Sequence, residues 1–327
     1  MPQRPLSLVS TCAGFNPTAP AISGNDRWEV LRIARAVKEQ SGGRFTGFDI
    51  LPCNALDPAE CREYVDMAGA IKDLGYSDLS TFIFTPNGFS LADASSRKDG
   101  SALVLAQVRL GASVAAKVIA GPIFEDWVTG IGKGDDGYGC EDFARFRENV
   151  IEPVAAELAL ISEAADGLGV EQLLGEYLCP REYRRVTNPA RAGEICRRAN
   201  ELKKKGPPWG VLHDTSHLFE TALRYGWNMD AIRLKIKQSN MGLPRPTRRH
   251  LSAYMTRGEI GPDSAMPVRE LVDAIDDGDT LGKLGLELFP WWDTGVRTAI
   301  RGFGIPTFAR EDMVGAIVRS ANYFDSI

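Results

Sequence analysis

Three carboxylates stand inside runs of residues that otherwise belong in a core. Glu176 sits in Leu173-Leu174-Gly175-Glu176-Tyr177-Leu178, Asp214 closes Val211-Leu212-His213-Asp214, and Glu287 interrupts Gly285-Leu286-Glu287-Leu288-Phe289. A carboxylate in such a run is costly unless it is paired, hydrogen-bonded or metal-bound. Taken singly, each is explained by a structural salt bridge. Taken together at comparable height, they would repel one another in a low-dielectric pocket, and a divalent cation is the simplest remedy. His217 follows Asp214 by one helical turn, and His250-Leu251-Ser252 supplies further polar groups on a neighbouring segment. His213, beside Asp214, belongs to the opposite face of its strand and is expected to pack under a helix.

These residues need elements that bring them to one place. Short strand-like runs alternate with amphipathic stretches about eight times along the chain. The expected strands are Leu6–Cys12, Thr46–Leu51, Leu79–Thr85, Ser113–Ala120, Gln172–Leu178, Trp209–Asp214, Leu251–Met255 and Leu284–Phe289. The expected helices are Asp26–Gln40, Pro58–Leu74, Ser101–Leu110, Glu141–Ala165, Pro189–Lys205, His217–Lys237 with a break at Tyr225-Gly226, Pro267–Asp276 and Arg310–Phe324. Asn188-Pro189 offers an N-cap followed by proline at the first helical position. Val150, Val154, Leu158 and Ile161 recur at helical spacing and form one apolar stripe. Strand–helix alternation implies a parallel sheet, and eight such units imply an α/β fold with one (β/α)₈ TIM barrel spanning 1–327. The first strand is followed by Ser10-Thr11-Cys12-Ala13-Gly14, which lacks the glycine pattern of a dinucleotide-binding fold.

In such a barrel the chemistry gathers at the carboxyl ends of the strands. Glu125, Asp126 and Trp127 follow strand four and are candidates for the pocket mouth, at the start of an irregular, Gly- and Asp-rich segment that runs to Cys140. Arg257 follows strand seven and would bind a substrate oxygen or phosphate, or else sit on a surface loop. Trp291-Trp292 follow strand eight as an aromatic wall or as a core or subunit contact.

Composition removes several classes of function. The 327 residues carry a net charge of −5, with 44% hydrophobic and 25% charged residues, an ordinary globular balance. No basic patch suited to nucleic acid stands out: Arg181-Arg184-Arg185 and Lys203-Lys204-Lys205 read as solvated faces. The six cysteines include no Cys-x-x-Cys pair, which fits free thiols in a reducing cytoplasm. No apolar span is long enough for a membrane helix.

The second half of the chain resembles the sugar phosphate isomerase/epimerase superfamily, the xylose-isomerase-like TIM barrels, and within it the ketose 3-epimerases. The resemblance rests on Gly175-Glu176-Tyr177-Leu178, Asp214-Thr215-Ser216-His217, His250-Leu251-Ser252 followed by Arg257-Gly258-Glu259, and Glu287-Leu288-Phe289, in the order and on the strands that the family uses; Gly121-Pro122 after strand four is similar too. It implies that Glu176 and Glu287 are metal ligands and also the acid/base pair, that Asp214 is a further ligand, and that His217 holds a substrate oxygen. It implies Mn²⁺ or Mg²⁺, with Co²⁺ or Zn²⁺ as alternatives, a small-molecule sugar substrate and a homo-oligomer. The family's strand-seven ligand falls here on Ser252, a poor ligand. His250, two residues earlier on a strand, would lie roughly 6–7 Å deeper, so either Ser252 or water completes the shell, or the strand is in another register.

The activity implied is metal-dependent isomerisation or epimerisation of a sugar or keto-sugar: abstraction of an α-proton to an enediolate, then return of a proton by the second glutamate. Dehydration of an inosose and β-elimination from a keto-glycoside start with the same proton transfer and remain alternatives, as does a barrel that has lost its metal and acts as a binding subunit. A multinuclear zinc nuclease draws heavily on histidine, and the chain has three.

Overall fold

The computed structural model describes residues 4–13, 27–51, 55–86, 88–126, 143–180, 182–253, 259–262, 264, 266–276, 282–288 and 312–327. Eight parallel strands form one sheet: β1 (Leu6–Val9), β2 (Phe45–Ile50), β3 (Asp78–Phe82), β4 (Val118–Gly121), β5 (Gln172–Glu176), β6 (Trp209–Leu212), β7 (Arg248–Leu251) and β8 (Lys283–Leu286). Their order is β6-β5-β4-β3-β2-β1-β8-β7. A bridge between Asp214 and His250 brings the outer strands together, and the His250 N–H donates to the His213 carbonyl at 2.9 Å. The sheet is therefore a nearly closed barrel, the architecture that the alternation of elements implies.

The crossovers are α1 (Arg27–Gln40), α2 (Pro58–Asp73), α3 (Arg97–Ser113), α4 (Phe143–Phe146, a π-helical turn at Arg147–Ile151, then Glu152–Ala164), α5 (Pro189–Leu202), α6 (Thr215–Tyr225), α7 (Met229–Asn240) and α8 (Val268–Asp276); α9 (Met313–Ser326) follows β8. Local chemistry fixes the ends. Asn188 accepts from the Arg191 N–H ahead of Pro189, and Asp57 accepts from the Ala59 N–H ahead of Pro58. Gly226 ends α6 in the left-handed conformation, φ 64°, which a side chain would disfavour. The stripe Val150, Val154, Leu158 and Ile161 is buried as its spacing requires. Trp209 at the foot of β6 packs beside it and donates from Nε1 to the Leu158 carbonyl at 2.8 Å.

Three elements depart from expectation. β1 ends at Val9 and continues as a 3₁₀ turn, Ser10–Ala13, instead of running to Cys12. There the Ser10 hydroxyl accepts from the Leu51 N–H at 2.7 Å and ties the turn to the end of β2. Ser113 ends α3, and β4 starts only at Val118. Strand seven is Arg248–Leu251, not Leu251–Met255. Two consecutive arginines look like loop residues, yet both are buried here because each meets an acid: Arg248 approaches Asp49 and Asp78, both at 3.2 Å, and Arg249 approaches Asp276 at 3.3 Å. Among the described residues, no helix is long and apolar enough to cross a membrane.

Candidate active site

The site is assembled by the ends of the last four strands. Glu176 is the final residue of β5 and Glu287 directly follows β8, with its N–H held by the Leu251 carbonyl at 3.0 Å. His250 is the third residue of β7, and Asp214 lies two residues beyond β6 at the N-cap of α6. One ligand atom from each of Glu176, Asp214, His250 and Glu287 lies within 4.8 Å of the others, and all four side chains are buried. Nδ1 of His250 stands 3.4 Å from Oε2 of Glu287 and 4.0 Å from Oε1 of Glu176. The three expected carboxylates thus converge. The fourth member is His250.

Burial alone would drive the His250 imidazole toward its neutral form. Asp49, Glu287 and Glu176 around it outweigh that cost and hold its pKa well above the ordinary value. The same negative field, added to burial, pushes the Tyr177 hydroxyl well up, through Asp214 and Glu176. Such a concentration of negative charge suits a cation. Neither Nδ1 of His250 nor Oε2 of Glu287 has a hydrogen-bond partner among the described residues, so donor atoms already face the space between them. Three carboxylates and one imidazole form a hard oxygen and nitrogen set that fits a divalent ion such as Mn²⁺, Mg²⁺, Co²⁺ or Zn²⁺.

Ser252 stands next to this group without having to be a ligand. Its hydroxyl lies 2.7 Å from each oxygen of Asp214, to which it donates. Oδ1 of Asp214 also accepts from the backbone N–H of Ser216 at 2.7 Å and of His217 at 3.1 Å. Asp214 is therefore oriented on two sides, by the helix N-terminus and by the serine. His217 is buried at the rim of the cluster, with Nε2 3.9 Å from Oε1 of Glu176 and Nδ1 accepting from the Cys179 N–H at 3.3 Å. Donor atoms of Cys179, Glu182 and His217 form a second close group beside the first.

Two residues singled out in the sequence have structural partners. Glu125 is buried, and its carboxylate accepts from three backbone N–H groups: Arg184 at 3.2 Å, Arg185 at 2.8 Å and Val186 at 2.6 Å. Burial raises its pKa in spite of those donors. His213 packs beneath α7, as expected, with Nε2 3.0 Å from Oδ1 of Asn240. Burial depresses its pKa to about 4 against the pull of that hydrogen bond, so the ring is neutral at pH 7. Arg257, Trp291, Trp292 and Trp127 lie outside the described residues.

Sequence reasoning passed over Asp49 and Glu182. Asp49 lies in β2, in the run Phe45-Thr46-Gly47-Phe48-Asp49-Ile50, where the rule that singled out Glu176 applies equally. Its carboxylate takes the Ser7 hydroxyl at 2.8 Å and the Ser80 hydroxyl, and meets Arg248 and His250. Burial opposes its ionisation, but Arg248, His250 and Ser80 bring its pKa down to about 2.

No protein-family model matches the chain, and no curated protein does. Solved structures do. An L-ribulose 3-epimerase superposes with a TM-score of 0.66 at 16% identity, covering 99% of this chain and 93% of its own. A D-psicose 3-epimerase from Clostridium cellulolyticum H10 gives 0.65 at 15% identity, covering 98% of each chain. A 3-keto-D-glucoside 4-epimerase from E. coli gives 0.59 at 14% identity, covering 97% of this chain and all of its own. At such low identity the likeness is one of fold, over the full length of the barrel.

Proposed function

We propose that the protein is a divalent-metal-dependent epimerase or isomerase of a keto-sugar, with Glu176 and Glu287 as the acid/base pair. One observation carries the reading: four buried ligating side chains, from the ends of four strands, bring their donor atoms within 4.8 Å of one another. The ion would be held by Glu176, Asp214, His250 and Glu287. Ser252 is then assigned to orienting Asp214, and the metal-free binding barrel loses the feature that favoured it. When bound, a divalent ion polarises a carbonyl oxygen and makes the neighbouring C–H more acidic.

The remaining work falls to the chain's own groups. Glu176 and Glu287 come from β5 and β8, so a sugar held between them presents one face to each. One carboxylate takes the proton from the carbon next to the carbonyl. The other returns a proton to the opposite face of that carbon, giving an epimer, or to the adjacent carbon, giving an isomer. His217 is placed to donate to a substrate oxygen beside Glu176. Burial of all four cluster residues keeps water from competing for the carbanionic intermediate. Glu125 is reassigned: with its oxygens taken by backbone, it fastens the segment after β5 to the segment after β4. The names of the three similar structures, epimerases of ketoses and of a keto-glycoside, support this substrate class.

The test is reconstitution. Chelator-stripped protein should take up about one Mn²⁺ per chain and then interconvert a ketopentose, ketohexose or 3-keto-glycoside with an epimer, read by chromatography. Ultraviolet detection of an enone in place of an epimer would assign elimination. A reconstituted protein that neither binds an ion nor turns over any member of the panel contradicts the proposal.

A further inference from the structure

Metal-ligating histidines depend on what their second nitrogen meets. In His250, Nδ1 faces Glu176 and Glu287, while Nε2 points down the barrel to Oδ2 of Asp49 at 3.5 Å. Among the described residues neither Nε2 nor that Oδ2 has a hydrogen-bond partner, although both are buried. The other oxygen of Asp49, Oδ1, is fully engaged by Ser7, Ser80 and Arg248. The carboxylate is thus clamped by one oxygen and offers the other to a single imidazole nitrogen.

The space around the pair is kept by a glycine. A Cβ on Gly285, in β8, would stand 2.7 Å from Oδ2 of Asp49 and 2.9 Å from Cδ2 of His250. Both contacts are closer than real Cβ atoms tolerate, so any side chain there would push the two groups apart. Behind Asp49, Arg248 reaches on to Asp78, which Lys283 also meets. Charges of alternating sign therefore run through the barrel interior and end at His250.

From this geometry we propose that Asp49 is the positioning residue for His250: it accepts the Nε2 proton, which leaves the Nδ1 lone pair aimed at the ion. The proposal rests on the metal centre proposed above. Asp49 touches neither substrate nor ion; it acts by fixing the tautomer and ring angle of a ligand and by raising that ligand's basicity, and Gly285 makes the approach possible.

The experiment uses full-length protein stripped by chelator. Long-range ¹H–¹⁵N spectra of histidine-labelled, Zn²⁺-loaded wild type should show His250 protonated at Nε2 with Nδ1 shifted by the metal. The three histidines are assigned by single replacement. In Mn²⁺ titrations, Asp49→Asn should weaken binding by about 10- to 100-fold, the usual range for a lost outer-shell partner. Asp78→Asn, which disturbs Arg248 but not His250, should stay within about twofold on the same reasoning. Gly285→Ala keeps every polar group and should still weaken Mn²⁺ binding, which covers the case in which Asp49→Asn fails to fold. Wild type ligated through Nε2, unchanged affinity in Asp49→Asn, or an equal loss in Asp78→Asn would each overturn the assignment while leaving the metal centre intact. Wild type that takes up no ion would overturn both.

Discussion

Glu125 and Glu287 have the same side chain, and each follows a strand at its carboxyl end, buried. They differ in where their lone pairs go. Glu125 spends its two oxygens on three backbone N–H groups, so its charge is neutralised by fixed dipoles and its location is structural. Glu287 keeps Oε2 without a hydrogen-bond partner among the described residues, 3.4 Å from an imidazole and close to two more carboxylates. Burial of an acid is therefore no sign of chemistry by itself. What distinguishes the functional carboxylate is that its neighbours are other ligands, where the structural one has backbone.

That contrast can be broken by substitution. The largest effect is expected at the open cluster: Glu176→Gln or Glu287→Gln should lower kcat by about 10²- to 10⁴-fold, the usual contribution of an acid or base, with an unchanged thermal melt. An active variant at either position would merge the two classes of glutamate. Glu125→Ala should do the reverse. Removing the acceptor of buried N–H groups should cost about 2–3 kcal/mol, visible as a lower denaturation midpoint, while the metal-binding constant of the folded protein changes little. A variant as stable as wild type would show that the carboxylate does not fasten the segment.

Ser252→Ala sharpens the comparison by removing a support from Asp214 and leaving every proposed ligand in place. Mn²⁺ affinity should fall by about tenfold, at the lower end for an outer-shell partner, and the ion should still bind at one per chain. Complete loss of binding would return Ser252 to the ligand shell. The smallest effect is expected at His213, whose ring is neutral and turned to Asn240. His213→Gln should alter kcat/KM by less than about twofold, since the group takes no part in proton transfer; a larger fall would move this histidine into the site.

The sequence exposed the fold through alternation, and it exposed three ligands through one physical conflict, an acid in an apolar strand. It misled where charge was satisfied out of sight. Arg248 and Arg249 read as loop residues because their partners, Asp49, Asp78 and Asp276, are far away in the chain. That shifted the expected strand seven forward and put Ser252 where His250 belongs. Glu125 misled in the opposite sense: polarity after strand four looked like a pocket wall, and only the fold brings residues 184–186 to its oxygens. Asp49 was legible by the rule applied to Glu176, but its run sits in the first half of the chain, away from the motifs that drew the reading.

The central claim is that Glu176 and Glu287 move a proton at a carbon made acidic by an ion held between them. Incubating the Mn²⁺-loaded protein with a responsive ketose in D₂O tests it most directly, by following deuterium at the carbon next to the carbonyl. Label should enter with wild type only when the ion is present, and should fail to enter with either Gln variant. Equal incorporation by both variants, or by metal-stripped wild type, would contradict the assignment.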